Sequence, residues 1–452
     1  ICLQANVPKG VVNIITGDGR AGELLVSNTK IDKIAFTGST EVGRRIREAT
    51  AGTGKSLTLE LGGKSPFIVF DDADLDSAVE GVVDAIWLNQ GQVCCAGSRL
   101  LVQEGVAKKF LNKIKTRMKT LRVGDPMDKS VDIGAIVDPV QKARISQLLS
   151  DNPDGEIFQI TDGLPETGCY FPPTLISGLG TADTLMQEEI FGPVLVTTTF
   201  RTPNEAAKLA NDSRYGLAAS IWSENVNLCL GLAPKIKAGV VWVNGTNMFD
   251  ASAGFGGMRE SGFGREGGWE GLEAYTMPRI GAGKKLEPIL GHSGKNEGVY
   301  RLDRTAKLYI GGKQSRPDSG YSYSIFDTKS QFMGHAPRAN RKDIRNALEA
   351  ADSAAQWSET HGHIRAQILY YIAENLSTRC EEFAKLINQM TGRKNGQKEV
   401  ETSIARLFTY AAWADKFDGD IRNVPMRGLA LKLNEPVGKI GVICSDDWPL
   451  LG

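Results

Sequence analysis

Short apolar runs alternate with longer amphipathic stretches through the first part of the chain. Runs of this kind predict buried strands, and their alternation with helical periodicity is typical of an α/β architecture with a largely parallel sheet. The predicted strands are 11-VVNII-15, 33-KIAFT-37, 57-LTLEL-61, 67-FIVF-70, 99-RLLVQ-103 and 239-GVVWV-243.

The clearest predicted helix covers residues 74–88. Its apolar residues recur at i, i+3, i+4 and i+7, and Asp72 or Asp74 can cap its first turn. This periodicity stops where the segment NQGQVCCAG begins, at 89–97. We therefore expect the two adjacent cysteines of that segment to lie in a loop between a helix and a strand.

Glycine-rich, poorly periodic sequence occupies 254–268 and 281–298, which predicts loops or a linker. A second unit is expected to begin at about residue 305. After residue 341 it is predicted to contain three amphipathic helices, followed by a strand at 438–444. One face of the last helix is predicted to carry Val400, Ile404, Leu407, Phe408 and Ala411.

The composition excludes several classes of function. The 452 residues contain 53 Lys and Arg against 53 Asp and Glu, so no net field favours nucleic acid. The apolar runs fall far short of the ~20 residues that a membrane-spanning helix needs. Seven cysteines without CxxC spacing argue against disulfides and zinc, so we expect a reducing, cytoplasmic location. Because the sequence begins with Ile1, it is also expected to be a fragment.

Three glycine motifs invite a nucleotide-binding interpretation. For 17-GDGRAG-22 we rank a turn first and a cofactor loop second, because no acidic strand end follows at the required distance. We interpret 52-GTGKS-56 as a linker turn, because the first P-loop glycine is missing. The stretch 38-GSTEVG-43 follows a strand and can begin a helix whose N-terminus faces a phosphate. Simple N-capping by Ser39 or Thr40 explains this stretch equally well.

Either cysteine of 89–97 could be an ordinary buried thiol or a nucleophile. A nucleophilic thiol needs a base, but all four histidines lie at or beyond residue 292. The remaining candidate is a carboxylate, and Glu60 stands between apolar strand residues before two glycines. A carboxyl group in an apolar setting has a raised pKa and can act as a base near neutral pH, although Glu60 could instead be a structural ion-pair partner.

Taken together, six segments resemble the aldehyde dehydrogenase superfamily in their order and spacing: 36-FTGSTEVG-43, 59-LELGGKSP-66, 89-NQGQVCCAG-97, 188-EEIFGPV-194, 215-YGLAAS-220 and 242-WVN-244. The resemblance covers about residues 1–280. It implies the C-terminal part of a Rossmann-like cofactor domain (1–61), an α/β catalytic domain (62–250) and a glycine-rich return segment and linker (251–304).

The resemblance implies that Cys94 is the nucleophile, Cys95 a variable neighbour and Glu60 the general base. The implied reaction is oxidation of a small-molecule aldehyde to a carboxylic acid by way of a Cys94 thiohemiacetal and thioester. The branch of the family that uses CoA generally lacks this Glu, so its presence favours the acid product. The implied cofactor is NAD, with NADP not excluded, and the residues expected to contact it are Phe36, Gly38, Ser39, Val42, Gly43, Leu61, Gln141, Arg144, Glu189 and Phe191.

The second unit, residues 305–452, resembles the N-terminal part of the same superfamily. This order is similar to that of the tandem two-module members, family 16, and implies a homo-oligomer or pairing of modules within the chain. The family's oxyanion Asn precedes the segment that matches the start of this chain. In the second unit Asp446 and Asp447 replace the Trp-Asn pair of the family, so this module is expected to be catalytically idle.

Two other functions compete with this prediction. The fold could serve as a catalytically impaired scaffold or interaction protein, although intact Cys94 and Glu60 speak against that. A nucleotide hydrolase based on residues 52–56 is a more distant alternative.

Overall fold

The computed structural model describes residues 13, 15, 17–152, 154–276, 306–327, 329–416, 419–422, 430–434, 436–442 and 449–450. These residues form two compact units that divide between 280 and 281, with the stretch 422–430 grouped with the first. Most of the predicted strand at 11–15 lies outside the described residues, as do Asp446 and Asp447.

The described part of the first unit contains ten strands and nine α-helices. The strands are β1 (Lys33–Thr37), β2 (Ser56–Glu60), β3 (Pro66–Val69), β4 (Arg99–Gln103), β5 (Glu156–Gln159), β6 (Thr174–Ser177), β7 (Val194–Phe200), β8 (Ala218–Trp222), β9 (Val240–Val243) and β10 (Gly262–Phe263). The helices are α1 (Gly19–Ser27), α2 (Thr40–Thr50), α3 (Leu75–Val82), α4 (Glu104–Met118), α5 (Pro139–Asp151), α6 (Thr184–Gln187), α7 (Pro203–Asn211), α8 (Val226–Leu232) and α9 (Gly268–Glu273).

A seven-stranded sheet in the order β5-β6-β7-β4-β3-β8-β9 forms the larger layer. Its neighbouring strands are parallel, except that β5 runs antiparallel to β6. In β3, Phe67 and Val69 pack with residues of α3 and α4, whereas Ile68 packs with residues of α7 and α8. Because successive strand residues point to opposite faces, helices cover both sides of the sheet. The predicted α/β class is therefore confirmed.

A smaller sheet consists of β1, β2 and β10. Strand β1 runs parallel to β2 and pairs Thr37 with Glu60, while β10 runs antiparallel and pairs Gly262 with the same Glu60. The predicted helix after β1 is confirmed as α2, which Ser39 caps through its side chain. The carboxyl end of β1, the start of α2 and Glu60 therefore lie at one edge of this sheet.

The two other glycine motifs have different outcomes. Residues 52–55 form the predicted turn before β2, and Gly52 and Gly54 have positive φ angles of 74° and 75° there. The prediction of a turn at 17–22 is wrong, because α1 begins there at Gly19. The Asp18 side chain accepts the Arg20 backbone N–H and caps this helix.

The predicted helix over 74–88 begins as expected, with Asp74 as its cap. It stays regular only to Val82, then widens to one π-helical turn at Val83–Trp87 and tightens to a 3₁₀ turn at Leu88–Gly91. Asn89 and Gln90 adopt left-handed backbone conformations, which end the helix just before the cysteines.

The glycine-rich stretch at 254–268 was predicted to form loops or a linker. In the structure it contains a 3₁₀ turn, Arg259–Ser261, and strand β10. Gly262 has φ +115°, and a Cβ atom there would collide with the Leu59 carbonyl oxygen. Glycine is therefore required for this stretch to lie against β2.

The described strands after residue 305 pair successively in twos: β11 (Leu308–Ile310), β12 (Lys313–Ser315), β13 (Ser322–Phe326), β14 (Phe332–Pro337), β15 (Asp420–Arg422) and β16 (Ala430–Lys432). Within the described residues after β14 there are four α-helices, not the predicted three: α10 (Arg341–Ser353), α11 (Gly362–Thr378), α12 (Cys380–Thr391) and α13 (Gly396–Ala414).

Two details of the second unit bear on its predicted elements. On α13, Val400 and Ala411 are fully buried, whereas Phe408 is 40% exposed, so the predicted apolar face is only partly covered. The predicted strand at 438–444 is wrong for residues 438–442, which pair with none of the described strands and leave Ile440 and Val442 exposed. None of the helices in the described ranges is both long and apolar enough to cross a membrane.

Candidate active site

The two adjacent cysteines lie in the connection between the 3₁₀ turn and β4. Backbone hydrogen bonds hold this connection, since the Ala96 N–H donates to the Val93 carbonyl at 3.0 Å and the Gly97 N–H to the Ala85 carbonyl at 2.9 Å. A Cβ atom on Gly63 would lie 2.5 Å from the Cys94 carbonyl oxygen. The glycines after β2 thus bring the end of that strand against the cysteine loop.

The two thiols differ in exposure and in acidity. Cys94 is half-buried, whereas only 1% of Cys95 is exposed. A hydrogen bond from the Cys95 thiol lowers the pKa of Cys94 to about 7, against the opposing effect of burial. The same interaction, together with burial, raises the pKa of Cys95. At neutral pH a thiolate therefore forms at Cys94 and not at Cys95, which supports the predicted assignment.

Glu60 ends β2 with its side chain almost fully buried, at 5% exposure. Neither carboxyl oxygen has a hydrogen-bond partner of regular geometry among the described residues. Burial raises the pKa of Glu60 to about 8; Glu266 and Cys94 add to the rise, whereas Arg265 and the Gly257 backbone N–H oppose it. A carboxyl group with this pKa is suited to accept a proton near neutral pH, as predicted for a general base.

The residues that enclose Glu60 come from the glycine-rich segment and were not identified from the sequence. A Cβ atom on Gly256 would lie 2.7 Å from Glu60 Oε1, so this glycine lets the backbone cover the carboxyl group. Arg265 donates to the carbonyl oxygens of Gly257 and Gly264 at 2.9 and 2.7 Å, which fixes its charge nearby. In the sequence, the density of glycine is the one signal of this close packing.

Glu189 follows α6, and its Oε1 accepts the Gly63 backbone N–H at 3.0 Å. A Cβ atom on Gly62 would collide with the same carboxylate, so Gly62 must be glycine for this approach. Burial raises the pKa of Glu189, although Gly63, Lys64 and Arg144 oppose the rise. The structure therefore brings Glu189 to the Cys94 loop, where the Glu189 carboxylate disfavours the Cys94 thiolate.

Lys64 is a buried charge that the sequence analysis did not single out. It is 1% exposed, and its Nζ has no hydrogen-bond partner among the described residues. Burial lowers the pKa of Lys64 to about 7, with Arg99 lowering it further and Glu189 opposing the change. The amine is therefore partly neutral at physiological pH.

Three further predicted cofactor residues surround Glu189. The Gln141 side chain donates to the carbonyl oxygens of Ile190 and Phe191, both at 3.0 Å, and so holds the backbone that carries Phe191. Phe191 itself has a positive φ of 55°, a strained conformation for a residue with this side chain. Arg144 is exposed on α5 and acts on Glu189 through its charge.

The predicted pyrophosphate site lies at the start of α2. Ser39 and Gly38 are exposed there, and the Ser39 hydroxyl accepts the Val42 N–H at 3.3 Å. The Phe36 ring folds against Gly38, where a Cβ atom would collide with it. Thr40 Oγ1 is buried and has no hydrogen-bond partner among the described residues.

Two predicted cofactor residues, Gly43 and Leu61, pack against each other. A Cβ atom on Gly43 would lie 2.5 Å from the Leu61 methyl groups, and Leu61 is 4% exposed. These two residues form the contact between α2 and the end of β2. The Leu61 side chain is therefore not available to a ligand.

The raised pKa of Glu60 predicts a pH-dependent cost to stability. Its folded pKa of about 8 lies above its ordinary value of 4.5. Ionisation therefore destabilises the fold as pH rises between these values, and the cost is complete above about pH 8. We expect Glu60→Gln to melt like the wild type below about pH 4.5 and on the order of several degrees higher at about pH 9.

Thermal unfolding at both pH values measures this effect, and Glu48→Gln on the exposed face of α2 is the matched control. A difference between Glu60→Gln and the wild type that does not grow with pH would contradict the assignment.

Fold and site together define a class of α/β protein in which a reactive thiol, a buried carboxyl group and an open helix N-terminus meet at one edge of a small sheet. Residues 1–280 and 317–451 match the model of the aldehyde dehydrogenase family. The chain belongs to this family.

Relatives of known sequence and structure agree with this placement. An aldehyde dehydrogenase of Agaricus bisporus is 43% identical over 277 residues, 60% of this chain and 55% of the relative. Aminoaldehyde dehydrogenase 2 of Zea mays is 42% identical over 281 residues, 61% of this chain and 56% of the relative. The chain thus spans about half the length of the curated relatives it matches.

Two solved structures have the same fold. Betaine aldehyde dehydrogenase of Staphylococcus aureus in complex with NAD+ matches with a TM-score of 0.58 at 36% identity, over 60% of this chain and 56% of that one. An NAD-dependent aldehyde dehydrogenase of Sinorhizobium meliloti matches with the same TM-score at 38% identity, over 61% and 55%. The aldehyde dehydrogenase fold predicted for the first unit is therefore confirmed.

Proposed function

We propose that the protein oxidises an aldehyde to a carboxylic acid, with NAD or NADP as the hydride acceptor. One observation carries this proposal: Cys94, with a pKa of about 7, interacts electrostatically with Glu60, a buried carboxyl group with a pKa of about 8. A nucleophile and a base whose pKa values lie near neutrality are what covalent catalysis followed by hydrolysis requires.

Cys94 is the nucleophile in the proposed first half of the reaction. Its thiolate attacks the aldehyde carbon, and the carbonyl electrons move to oxygen to give a thiohemiacetal. This adduct then loses hydride from carbon and becomes a thioester. NAD or NADP, when bound, supplies the acceptor for that hydride.

Glu60 is the general base in the proposed second half of the reaction. Its carboxylate removes a proton from water, and the resulting hydroxide attacks the thioester carbon. The carbon–sulfur bond breaks, the carboxylic acid leaves and the Cys94 thiolate is restored. Glu60 can take this proton because its burial gives the carboxylate a high proton affinity.

The residues at the start of α2 fit a dinucleotide. The exposed N-terminal turn at Gly38 and Ser39 offers the positive end of the helix dipole, and the orphaned Thr40 hydroxyl lies in the same turn. Glu189 and Phe191 lie on the Cys94 side, where the nicotinamide end would be held. In this proposal Ser39 and Gly38 hold the pyrophosphate, Glu189 the ribose and Phe191 the nicotinamide.

Formation of reduced cofactor, coupled to release of acid, tests the activity. The full chain is incubated with NAD and a panel of aldehydes that includes an aminoaldehyde and betaine aldehyde, named for two of the relatives. We expect one acid for each reduced cofactor. Ser39→Asp keeps the helix cap but adds a negative charge at the pyrophosphate position, so KM for NAD should rise roughly ten-fold.

Ser39→Asn, which caps equally well without charge, is the matched control. Reduced cofactor without acid would contradict the proposed hydrolysis, and absence of any reduction would favour the scaffold function.

For the rest of the chain we propose the tandem arrangement of family 16, with residues 305–452 as a second, catalytically idle module. The separate match of the family to 317–451 supports this arrangement. The domain limits 1–61, 62–250 and 251–304, the cytoplasmic location and the homo-oligomer or paired modules stay predictions.

A further inference from the structure

A third residue, Asn247, contacts one of the two adjacent cysteines. Cys95 Sγ lies 3.3 Å from Oδ1 of Asn247. Asn247 in turn donates from Nδ2 to the Asp84 backbone carbonyl at 2.7 Å. Its loop is held by Trp242, whose ring N–H donates to the Met248 carbonyl at 3.0 Å.

The contact with Asp84 decides which atom of the amide faces Cys95. A backbone carbonyl oxygen can only accept a hydrogen bond, so the NH₂ group of Asn247 must point at Asp84. The amide oxygen is then left facing Cys95. Because that oxygen is also an acceptor, it can pair only with a protonated Cys95 and would repel a Cys95 thiolate.

We propose that Asn247 is a positioning residue that assigns the proton of the vicinal pair: its amide oxygen keeps Cys95 as the thiol, so that the nucleophilic thiolate forms at Cys94. This inference rests on the proposed function of Cys94. The Cys95 proton can turn from Asn247 to the Cys94 sulfur once Cys94 ionises, which stabilises the thiolate. Asn247 need not touch the substrate to do this.

The other titratable groups whose charges act on the pair are Glu189 and Glu60. Glu189 opposes the Cys94 thiolate, and the charges of Glu60 and Cys94 disfavour one another. Negative charge nearby disfavours any thiolate in this loop, so neither carboxyl group explains why one cysteine ionises and its neighbour does not. The neutral amide of Asn247 contacts only one of the two sulfurs among the described hydrogen bonds.

Limited alkylation of the full chain with iodoacetamide, followed by fragment-ion mapping of the peptide that contains both cysteines, tests the inference without cofactor or turnover. In the wild type we expect Cys94 to be modified in roughly ten-fold excess over Cys95. In Asn247→Leu the share of Cys95 should rise about five-fold, because the amide oxygen that disfavours a Cys95 thiolate is gone.

Asn244→Leu is the matched control, because Asn244 has a similar positive φ, 47° against 50°, and bonds Ser223 through its side chain. Both leucine variants carry the same backbone strain, but only Asn247→Leu should change the partition of label. An unchanged partition in Asn247→Leu would overturn the inference. Preferential labelling of Cys95 in the wild type would instead overturn the proposed role of Cys94, so the two failures are distinguishable.

Discussion

Glu60→Gln should trap the protein as a stable acyl-enzyme. An activated ester such as 4-nitrophenyl acetate acylates a reactive thiol directly, without cofactor, and gives the same kind of thioester as the proposed oxidation. The burst of nitrophenol should be about unchanged, because acylation does not use Glu60. Deacylation should slow by roughly 10²–10⁴ because glutamine cannot take the proton from water.

Intact-mass measurement of the acetylated chain, followed over time, checks this result, with Glu48→Gln as the control. In the wild type the burst should rise with pH through about 7, where Cys94 ionises. The steady rate should rise through about 8, where Glu60 loses its proton. Loss of the burst in Glu60→Gln, or a steady rate equal to that of the wild type, would show that Glu60 is not the base.

Cys94→Ala should lose both the burst and the oxidation of aldehydes, by roughly 10⁴-fold or more, since removal of a catalytic nucleophile leaves only binding and electrostatic effects. If the second module is catalytically idle, it cannot replace Cys94, so no residual aldehyde oxidation by the chain is expected. Stopped-flow detection of nitrophenol and assay of reduced cofactor measure the two losses separately.

Cys229→Ala is the control for this variant, since Cys229 is a fully buried thiol on α8 that contacts the Ser223 carbonyl. Burial raises the pKa of Cys229, so its removal should leave both rates unchanged. A burst that persists in Cys94→Ala would mean that another thiol is the nucleophile.

Local sequence signals predicted much of the first unit. The strands at 33–37 and 99–103 could be predicted from the residues within each strand. The caps Ser39 and Asp74 could be predicted from residues within one helical turn. In the second unit the same reasoning missed the break between α11 and α12. No glycine or proline marks that break, which falls at Arg379, whose N–H donates back to Leu376.

The environment of the site depended on contacts between distant parts of the chain. Asn247 reaches Cys95, and Gly256 covers Glu60, only after the β8–β9 region and the glycine-rich segment fold back. No local period encodes such contacts. The resemblance to the family could select Cys94 over Cys95, but it could not show how the two thiols come to differ. That difference depends on hydrogen bonds and burial, which the structure supplies.

The pairing of β10 with β2 links the chemistry of Glu60 to the order of folding. Gly262 lies far along the chain from Glu60, and closing so long a loop is slow compared with forming α2 or α3. In the unfolded chain Glu60 has its ordinary pKa of 4.5, so it is ionised at neutral pH. After closure it binds a proton from the buffer. The C=O stretching band of protonated Glu60 in infrared spectra should therefore report, without any label, the folding step at which β10 pairs with β2 and completes the proposed catalytic centre.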